Sequence, residues 1–279
     1  MKNYARAIQK HLAWYKNERL GIRESGVYLH QGKEVHCGHI LPRELKWLNL
    51  LEPFRREIRR VISDNGPVTL HKHFHHLNSS QAFALNLFSP FFEGGPPGAT
   101  RLLRALGSSG EIAQWRPEHV VDSSEGTNVD IAWSDGSGAW TYCEVKLSEP
   151  EFGKAAGDAR HLAKLKSTYL PDLAPHCAPE LLEPASFFAH YQILRNVWLA
   201  ARDATSSVVF LLPRQNEVLW APLLGVRSAL KPALAERVRV VAMEDVVEQL
   251  RCDSALPQRL AWYAEMLAEK YLLPPSPAG

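Results

Sequence analysis

The chain has 279 residues, of which 46% are hydrophobic and 22% are charged, a composition typical of a globular protein with a substantial core. Its 32 lysines and arginines are nearly balanced by 30 acidic residues, so the formal net charge is only +2. This balance argues against a protein that coats nucleic acid by bulk positive charge, but it is compatible with a local basic cleft.

The amino-terminal residues carry charges throughout and include no apolar segment, which is not typical of a secretory signal. No run approaches the ~18 apolar residues that would suggest a membrane span. The four cysteines form no CxxC pair, and in a chain of this length they are typical of reduced thiols. We therefore expect a cytoplasmic protein with no membrane partner.

Helical and strand-like periodicities alternate along the chain. The sequence predicts helices over 3–17, 43–63, 78–88, 100–106, 156–168, 185–204, 244–251 and 256–271, and strands over 128–133, 140–147, 207–212 and 238–242. The stretch 21–42 is expected to be irregular. Since no linker interrupts this order, we expect a mixed α/β fold with one domain over residues 1–279.

The hairpin predicted between residues 128 and 147 carries the residues of greatest chemical interest. Side chains two apart share one face of a strand, so Glu144 and Lys146 lie on the same face. A loop centred near Ser137 would place Asp130 opposite Glu144. Partners across two strands are ~5 Å apart, and like charges there repel each other.

Two carboxylates at this separation indicate a site for a hard divalent cation, because Mg²⁺ commonly takes one or two carboxylates together with substrate phosphate. Lys146 adds a compact positive charge that can orient a water or stabilise developing negative charge. Together these groups suit phosphodiester hydrolysis. The alternative is an exposed strand that carries the same residues without any chemistry, and a motif this short does not separate the two.

Three separated segments resemble known proteins. Asp130 and the segment Cys143-Glu-Val-Lys146 resemble the PD-(D/E)XK nuclease superfamily, in which the acidic residues lie on adjacent strands. Residues 144–153 are similar to the extended motif of a restriction-endonuclease-like family within it, and residues 76–88 and 191–196 resemble its helical signatures. The proline of the superfamily motif is absent, since Val129 precedes Asp130.

The resemblance spans about residues 70–210 and implies a restriction-endonuclease-like core with a central mixed sheet flanked by helices. Residues 1–65 and 215–279 would be helical elaborations of that core. Asp130 and Glu144 would bind Mg²⁺ or Mn²⁺, and Lys146 would be the catalytic lysine. The implied function is a DNA endonuclease acting in restriction or defence.

Two other functions are compatible with parts of the sequence. A non-catalytic nucleic-acid- or partner-binding protein could retain the nuclease fold, but the intact set of Asp130, Glu144 and Lys146 weighs against it. A zinc-stabilised protein could be built on the histidine-rich segments 36–39 and 71–76. A structural zinc site usually needs four paired ligands, which these segments do not show.

Polar residues of the predicted helix 185–204 are candidates for active-site roles. Gln192, Arg195 and Asn196 fall at i, i+3 and i+4 and share one face. Gln192 is a candidate catalytic residue that contacts the attacking water or a phosphate, with Arg195 and Asn196 in support. A solvent-facing polar stripe is the alternative.

Further candidates lie elsewhere in the chain. Glu125 is a candidate additional acidic ligand, while Gln81 and Asn86 are candidates either for active-site support or for buried hydrogen bonding. Cleavage of both strands of a palindrome would suit a homodimer. The candidate DNA-binding residues follow the motif strand: Lys154, Arg160, Lys164 and Lys166.

Overall fold

The computed structural model describes residues 3–64, 68–123 and 125–274, except for the side chain of Asn3. The described α-helices are α1 (Asn3–Glu18), α2 (Arg55–Asp64), α3 (Ser80–Glu93), α4 (Pro96–Ala105), α5 (Ala159–Lys164), α6 (Leu170–Leu173), α7 (Pro184–Ala189), α8 (Tyr191–Ala201), α9 (Glu217–Ser228), α10 (Pro232–Ala235), α11 (Met243–Arg251) and α12 (Gln258–Tyr271). The described strands are β1 (Gly26–His30), β2 (Lys33–Cys37), β3 (Gln114–Asp122), β4 (Thr127–Ser134), β5 (Trp140–Val145), β6 (Ser207–Leu212) and β7 (Val238–Ala242). No helix in these ranges combines the length and the apolar character needed to cross a membrane.

The chain divides into two compact units that alternate along the sequence. The first comprises residues 1–111 and 243–279, and the second comprises residues 112–242. One domain over residues 1–279 with elaborations at 1–65 and 215–279 stays a prediction. Within the first unit, α11 and α12 return to pack against α4 and α3, and such a pairing of distant segments leaves no linker signature in the sequence.

In the described part of the first unit, the regular elements are helices and one antiparallel hairpin. That hairpin, β1 and β2, replaces the irregular stretch expected over 21–42. Its turn residues Gln31 and Gly32 have φ angles of 50° and 76°, the left-handed conformation that two-residue hairpin turns require. The single helix predicted over 43–63 is wrong, because a 3-10 segment ends at Asn49 and α2 begins only at Arg55. Pro53 lies between them and cannot donate a helical hydrogen bond.

The second unit is built on a five-stranded sheet with the order β3-β4-β5-β6-β7. Strands β3 to β5 are antiparallel, while β5, β6 and β7 run parallel. The predicted mixed central sheet flanked by helices is therefore confirmed. The sequence analysis missed β3, in which Pro117 interrupts the strand signal and Glu118 has a φ of 47°.

Helix α8 packs on one face of this sheet. Leu194 and Val197 of α8 belong to the same buried core cluster as Tyr142 of β5 and Phe210 of β6. The predicted helix 185–204 is split at His190 into α7 and α8. This break places Gln192 in the first turn of α8.

Candidate active site

The register between β4 and β5 brings Asp130 and Glu144 to paired positions. Ile131 pairs with Cys143 and Ala132 with Tyr142, so continuing the ladder by one residue sets Asp130 opposite Glu144. The Asp130 Oδ2 atom also accepts a hydrogen bond of 2.7 Å from the Val145 backbone N–H. The predicted hairpin register is therefore confirmed, and the two acids lie at the same end of the strand pair.

Glu144 is almost fully buried, with 4% of its surface exposed, and it receives three side-chain donors. Its Oε1 atom lies 2.8 Å from the Lys146 ammonium and accepts a bond of 2.7 Å from Gln192 Nε2. Its Oε2 atom accepts a bond of 2.9 Å from Asn196 Nδ2. A buried carboxylate is costly without such partners, so these donors stabilise Glu144 in one orientation.

The three motif residues are coupled electrostatically. Burial raises the pKa of Asp130 well above its usual value, and the negative charges of Glu144 and Glu118 raise it further. Burial alone would lower the pKa of Lys146, but Glu144, Glu149 and Asp130 outweigh that effect and leave its pKa above the usual value. Lys146 is therefore a protonated amine at neutral pH, while Asp130 holds its proton more tightly than an ordinary aspartate does.

The side-chain amide of Gln192 is held at both ends. Its Oε1 atom accepts a bond of 2.8 Å from the Gly153 backbone N–H, and its own backbone N–H donates to the Gly153 carbonyl at 3.0 Å. Because Oε1 faces Gly153, the Nε2 group must point toward Glu144. This geometry indicates that Gln192 positions Glu144, a different role from the predicted contact with water or phosphate.

Glu125 belongs to a separate buried cluster. Its carboxylate lies 2.8 Å from the Lys164 ammonium and accepts hydrogen bonds from the hydroxyl groups of Tyr169 and Tyr191. The same cluster accounts for Lys164, which also donates to the Glu125 carbonyl oxygen at 2.6 Å. Both residues are thus engaged with protein partners, while metal ligation by Glu125 and DNA contact by Lys164 stay predictions.

Gln81 and Asn86 lie in the first unit and are engaged with groups of that unit. Gln81 accepts a bond from the His71 backbone N–H at 2.8 Å and donates to the Thr69 carbonyl at 3.1 Å. Asn86 accepts from the Leu51 backbone N–H at 2.9 Å and donates to the Asn49 carbonyl and the Tyr271 hydroxyl. The structure thus favours buried hydrogen bonding over active-site support for both residues.

The remaining candidate DNA-binding residues lie on the surface of the second unit. Lys154 forms an exposed pair of 2.5 Å with Glu151. Arg160 lies in α5 and Lys166 in the π-helical segment Leu165–Tyr169, and both side chains are exposed. Their exposure is compatible with phosphate contact and equally with a solvated surface.

Two acidic residues near the site were missed by the sequence analysis. Glu118 lies opposite Asp130, since Pro117 pairs with Ile131 and His119 with Val129. Recognising β3 as a strand would have revealed this pairing. Glu149 accepts a bond of 2.7 Å from the Leu147 backbone N–H, and its signal was its position three residues after Lys146.

The oxygen atoms available for a cation belong to Asp130 and Glu144. Across the described ranges, Asp130 Oδ1 forms no hydrogen bond, and Glu144 Oε2 accepts only the bond from Asn196. The same ranges contain no group of three or more His, Cys, Asp or Glu side chains arranged to hold a metal ion. An ion here would rely on two carboxylates plus water and substrate oxygen, which is the donor set that Mg²⁺ favours.

The histidine-rich segments form a packed aromatic cluster. The rings of His73 and His76 lie 4.5 Å apart. Burial lowers the pKa of His76 to about 3, together with the charges of neighbouring histidines. Burial also lowers the pKa of His39 to about 4, with a contribution from Lys16. Among the described residues, the ring nitrogens His73 Nδ1, His75 Nε2 and His76 Nε2 are buried without a hydrogen-bond partner, and the zinc alternative stays a hypothesis.

The mixed sheet and the acidic pair on its central strands define a restriction-endonuclease-like protein. The family described as restriction endonuclease associating with ARP matches residues 9–272, and the chain belongs to that family. The resemblance noted from the motifs is thereby confirmed, and the match extends into both ends that the motifs left loosely matched. No curated protein and no solved structure gives a significant match.

Proposed function

We propose that this protein is a Mg²⁺- or Mn²⁺-dependent DNA endonuclease that hydrolyses phosphodiester bonds at Asp130, Glu144 and Lys146. The observation that carries the proposal is the arrangement of two acids at paired positions of β4 and β5, with the Lys146 amine 2.8 Å from the Glu144 carboxylate. Membership of a restriction-endonuclease family supports nuclease chemistry and a role in restriction or defence. We extend the proposal to a homodimer and to an ARP partner, the second because the family description names that association.

Each residue of the site would have a separate role. Asp130 Oδ1 and Glu144 Oε2 would hold the divalent ion, which when bound supplies charge neutralisation for the phosphate and lowers the pKa of a water. The Lys146 ammonium would donate to a phosphate oxygen and stabilise negative charge that develops there. Gln192 and Asn196 would keep Glu144 oriented throughout.

Cleavage of covalently closed circular DNA tests the proposal directly, because a closed circle offers no end to an exonuclease. Wild-type protein should convert it to nicked or linear DNA with Mg²⁺ or Mn²⁺ and leave it intact with EDTA. A Glu144→Gln preparation made in parallel should leave it intact under all conditions. Wild-type protein that binds the circle without cutting it would favour the non-catalytic alternative.

Metal binding can be measured without relying on activity. Asp130→Asn should weaken Mn²⁺ binding by about tenfold or more, because it removes one of the two carboxylates that would hold the ion. Isothermal titration calorimetry of the wild type and the variant is the measurement. Glu151→Gln is the matched control, since Glu151 is an exposed acid paired with Lys154. Equal affinities for wild type and Asp130→Asn would remove Asp130 from the metal site.

Gly153 offers a test of the role given to Gln192. A Cβ atom at Gly153 would lie 3.4 Å from Gln192 Oε1 and 3.7 Å from Gln192 Cβ, so alanine fits, whereas the branched side chain of valine would displace Gln192. We expect Gly153→Val to lower the cleavage rate about tenfold, as for loss of a partner that orients a metal ligand. Gly153→Ala should stay close to wild type. Equal rates for both variants would show that the Gln192 orientation is unimportant.

A further inference from the structure

We propose that Arg195 forms a phosphate-binding subsite beside the Asp130–Glu144 pair and holds a second phosphodiester group of the nucleic-acid substrate. This inference rests on the proposed function, because it adds a substrate contact to the same site. It assigns to Arg195 direct contact with the substrate, whereas Gln192 and Asn196 act through Glu144.

The position of Arg195 on α8 follows from helix geometry. Gln192 and Asn196 are one turn apart and both donate to the Glu144 carboxylate. At about 100° per residue, Arg195 leaves the helix about 60° away from Gln192. It leaves the helix about 100° away from Asn196, so its side chain emerges beside Gln192, on the side of α8 that carries Tyr191.

Arg195 is a partly buried cation that lacks an anionic partner. Its Nε atom is buried and has no hydrogen-bond partner, and its guanidinium forms no ion pair with any residue in the described part of the chain. Buried donors are normally satisfied, and an unsatisfied charged donor is costly. By contrast Arg202, directly after the C-terminal end of α8, is paired with Asp122 at 3.1 Å. The unpaired Nε–H group of Arg195 indicates a binding site for an anion from outside the protein.

The surroundings keep Arg195 in position without neutralising it. Its guanidinium carbon lies 6.0 Å from the ring centroid of Tyr191. That ring is fixed, since the Tyr191 hydroxyl lies 3.0 Å from the Tyr169 hydroxyl and donates to Glu125 at 3.3 Å. The Glu125 carboxylate pairs with Lys164 through Oε1 at 2.8 Å, and it forms no ion pair with Arg195 among the described residues.

Phosphate chemistry fits the unmatched donor best. The planar fork of a guanidinium matches the oxygen atoms of a phosphodiester. Lys146, the other cation at this end of α8, lies against Glu144 and would contact the scissile phosphate itself. A nucleic-acid backbone repeats its charged groups along the strand, so a second cation beside the first can hold a neighbouring phosphate of the same chain.

The test is the binding of a short fluorescein-labelled DNA duplex in metal-free buffer, followed by fluorescence anisotropy over a range of NaCl concentrations. Arg195→Gln should weaken binding about tenfold at moderate salt and lower the slope of log K against log[salt] by about 1. The loss should be the same for duplexes of unrelated sequence, because phosphate contacts carry no sequence information. Arg195→Lys should keep the slope, since the charge remains, and lose part of the affinity.

Arg202→Gln is the matched control, because Arg202 lies directly after α8 and already has a partner, Asp122. This variant should bind as the wild type does. An Arg195→Gln variant with wild-type affinity and an unchanged slope overturns the subsite. Wild-type protein that binds duplexes but never cuts closed circles, while Arg195→Gln loses the contact, overturns the proposed catalytic function and leaves the subsite standing. Wild-type protein that binds no duplex overturns both.

Discussion

Glu144→Gln should lower the single-turnover rate of DNA cleavage by at least about 10²–10³-fold, comparable to the loss of a preorganised electrostatic group in other enzymes. Glutamine keeps the shape of the side chain but replaces one acceptor oxygen with an NH₂ donor. In either orientation the new NH₂ group would lie against another donor. That donor is Asn196 Nδ2 in one orientation, and both Gln192 Nε2 and the Lys146 ammonium in the other. The variant therefore loses its negative charge, one of the proposed metal oxygens and part of the hydrogen-bond network at once.

The control for this prediction is Glu151→Gln, which removes the same charge from an exposed acid in the loop that follows β5. Its rate should stay within a factor of about two of wild type, because surface pairs of this kind contribute little. Thermal unfolding of each preparation separates loss of chemistry from loss of fold. Substantial cutting by a folded Glu144→Gln preparation would show that the site is misassigned.

Lys270→Met should change how the free energy of unfolding depends on pH between about 7 and 9. Lys270 is fully buried, with 0% of its surface exposed, and its ammonium donates to the carbonyl and side-chain oxygens of Asn49 at 2.6 and 2.7 Å. Burial lowers its pKa well below the usual value, and the charge of Arg55 adds to the effect. Among the described residues, it forms no ion pair with a carboxylate.

The sign of the effect follows from proton binding. Since the pKa of Lys270 is lowered in the folded state, the unfolded chain binds the proton more readily between the folded pKa and about 10.4. Stability should therefore rise with pH in that window, by up to about 1.4 kcal/mol per pH unit from this one group. Lys270→Met should remove this contribution and flatten the curve.

Denaturant unfolding at several pH values measures the difference. The range ends near pH 9 because burial raises the pKa of Tyr15 to about 12 and also raises the pKa of Tyr263, so tyrosine ionisation in the unfolded chain reverses the trend at higher pH. Lys10→Met, on the exposed side of α1, should reproduce the wild-type curve. Parallel curves for wild type and Lys270→Met would show that Lys270 stays protonated in the folded protein.

The hairpin that carries the acids could be predicted from sequence because its information is local. Alternation with a period of two residues sets which side chains share a face, and the centre of a short loop sets the pairing. The same reasoning failed at β3, where Pro117 and the left-handed Glu118 disturb the period. As a result, the sequence did not predict that Glu118 lies opposite Asp130.

Helix α8 shows where sequence reasoning stops. The spacing of Gln192 and Asn196 predicted a shared polar face, but only the packing of α8 on the sheet shows that both amides donate to Glu144. The same holds for Glu125, whose acidic side chain suggested metal ligation. Its partners Tyr169 and Tyr191 are more than forty residues away in sequence, and no local pattern announces such a contact.

The sequence by itself determined the strand pair, its register and the proximity of Asp130, Glu144 and Lys146, since each follows from short-range periodicity. Only the tertiary structure decided which polar side chains donate to Glu144. It also decided which of them, like Gln81 and Asn86, form buried hydrogen bonds elsewhere. The physical reason is that a polar side chain must find a partner wherever it is buried. Packing between segments far apart along the chain chooses that partner.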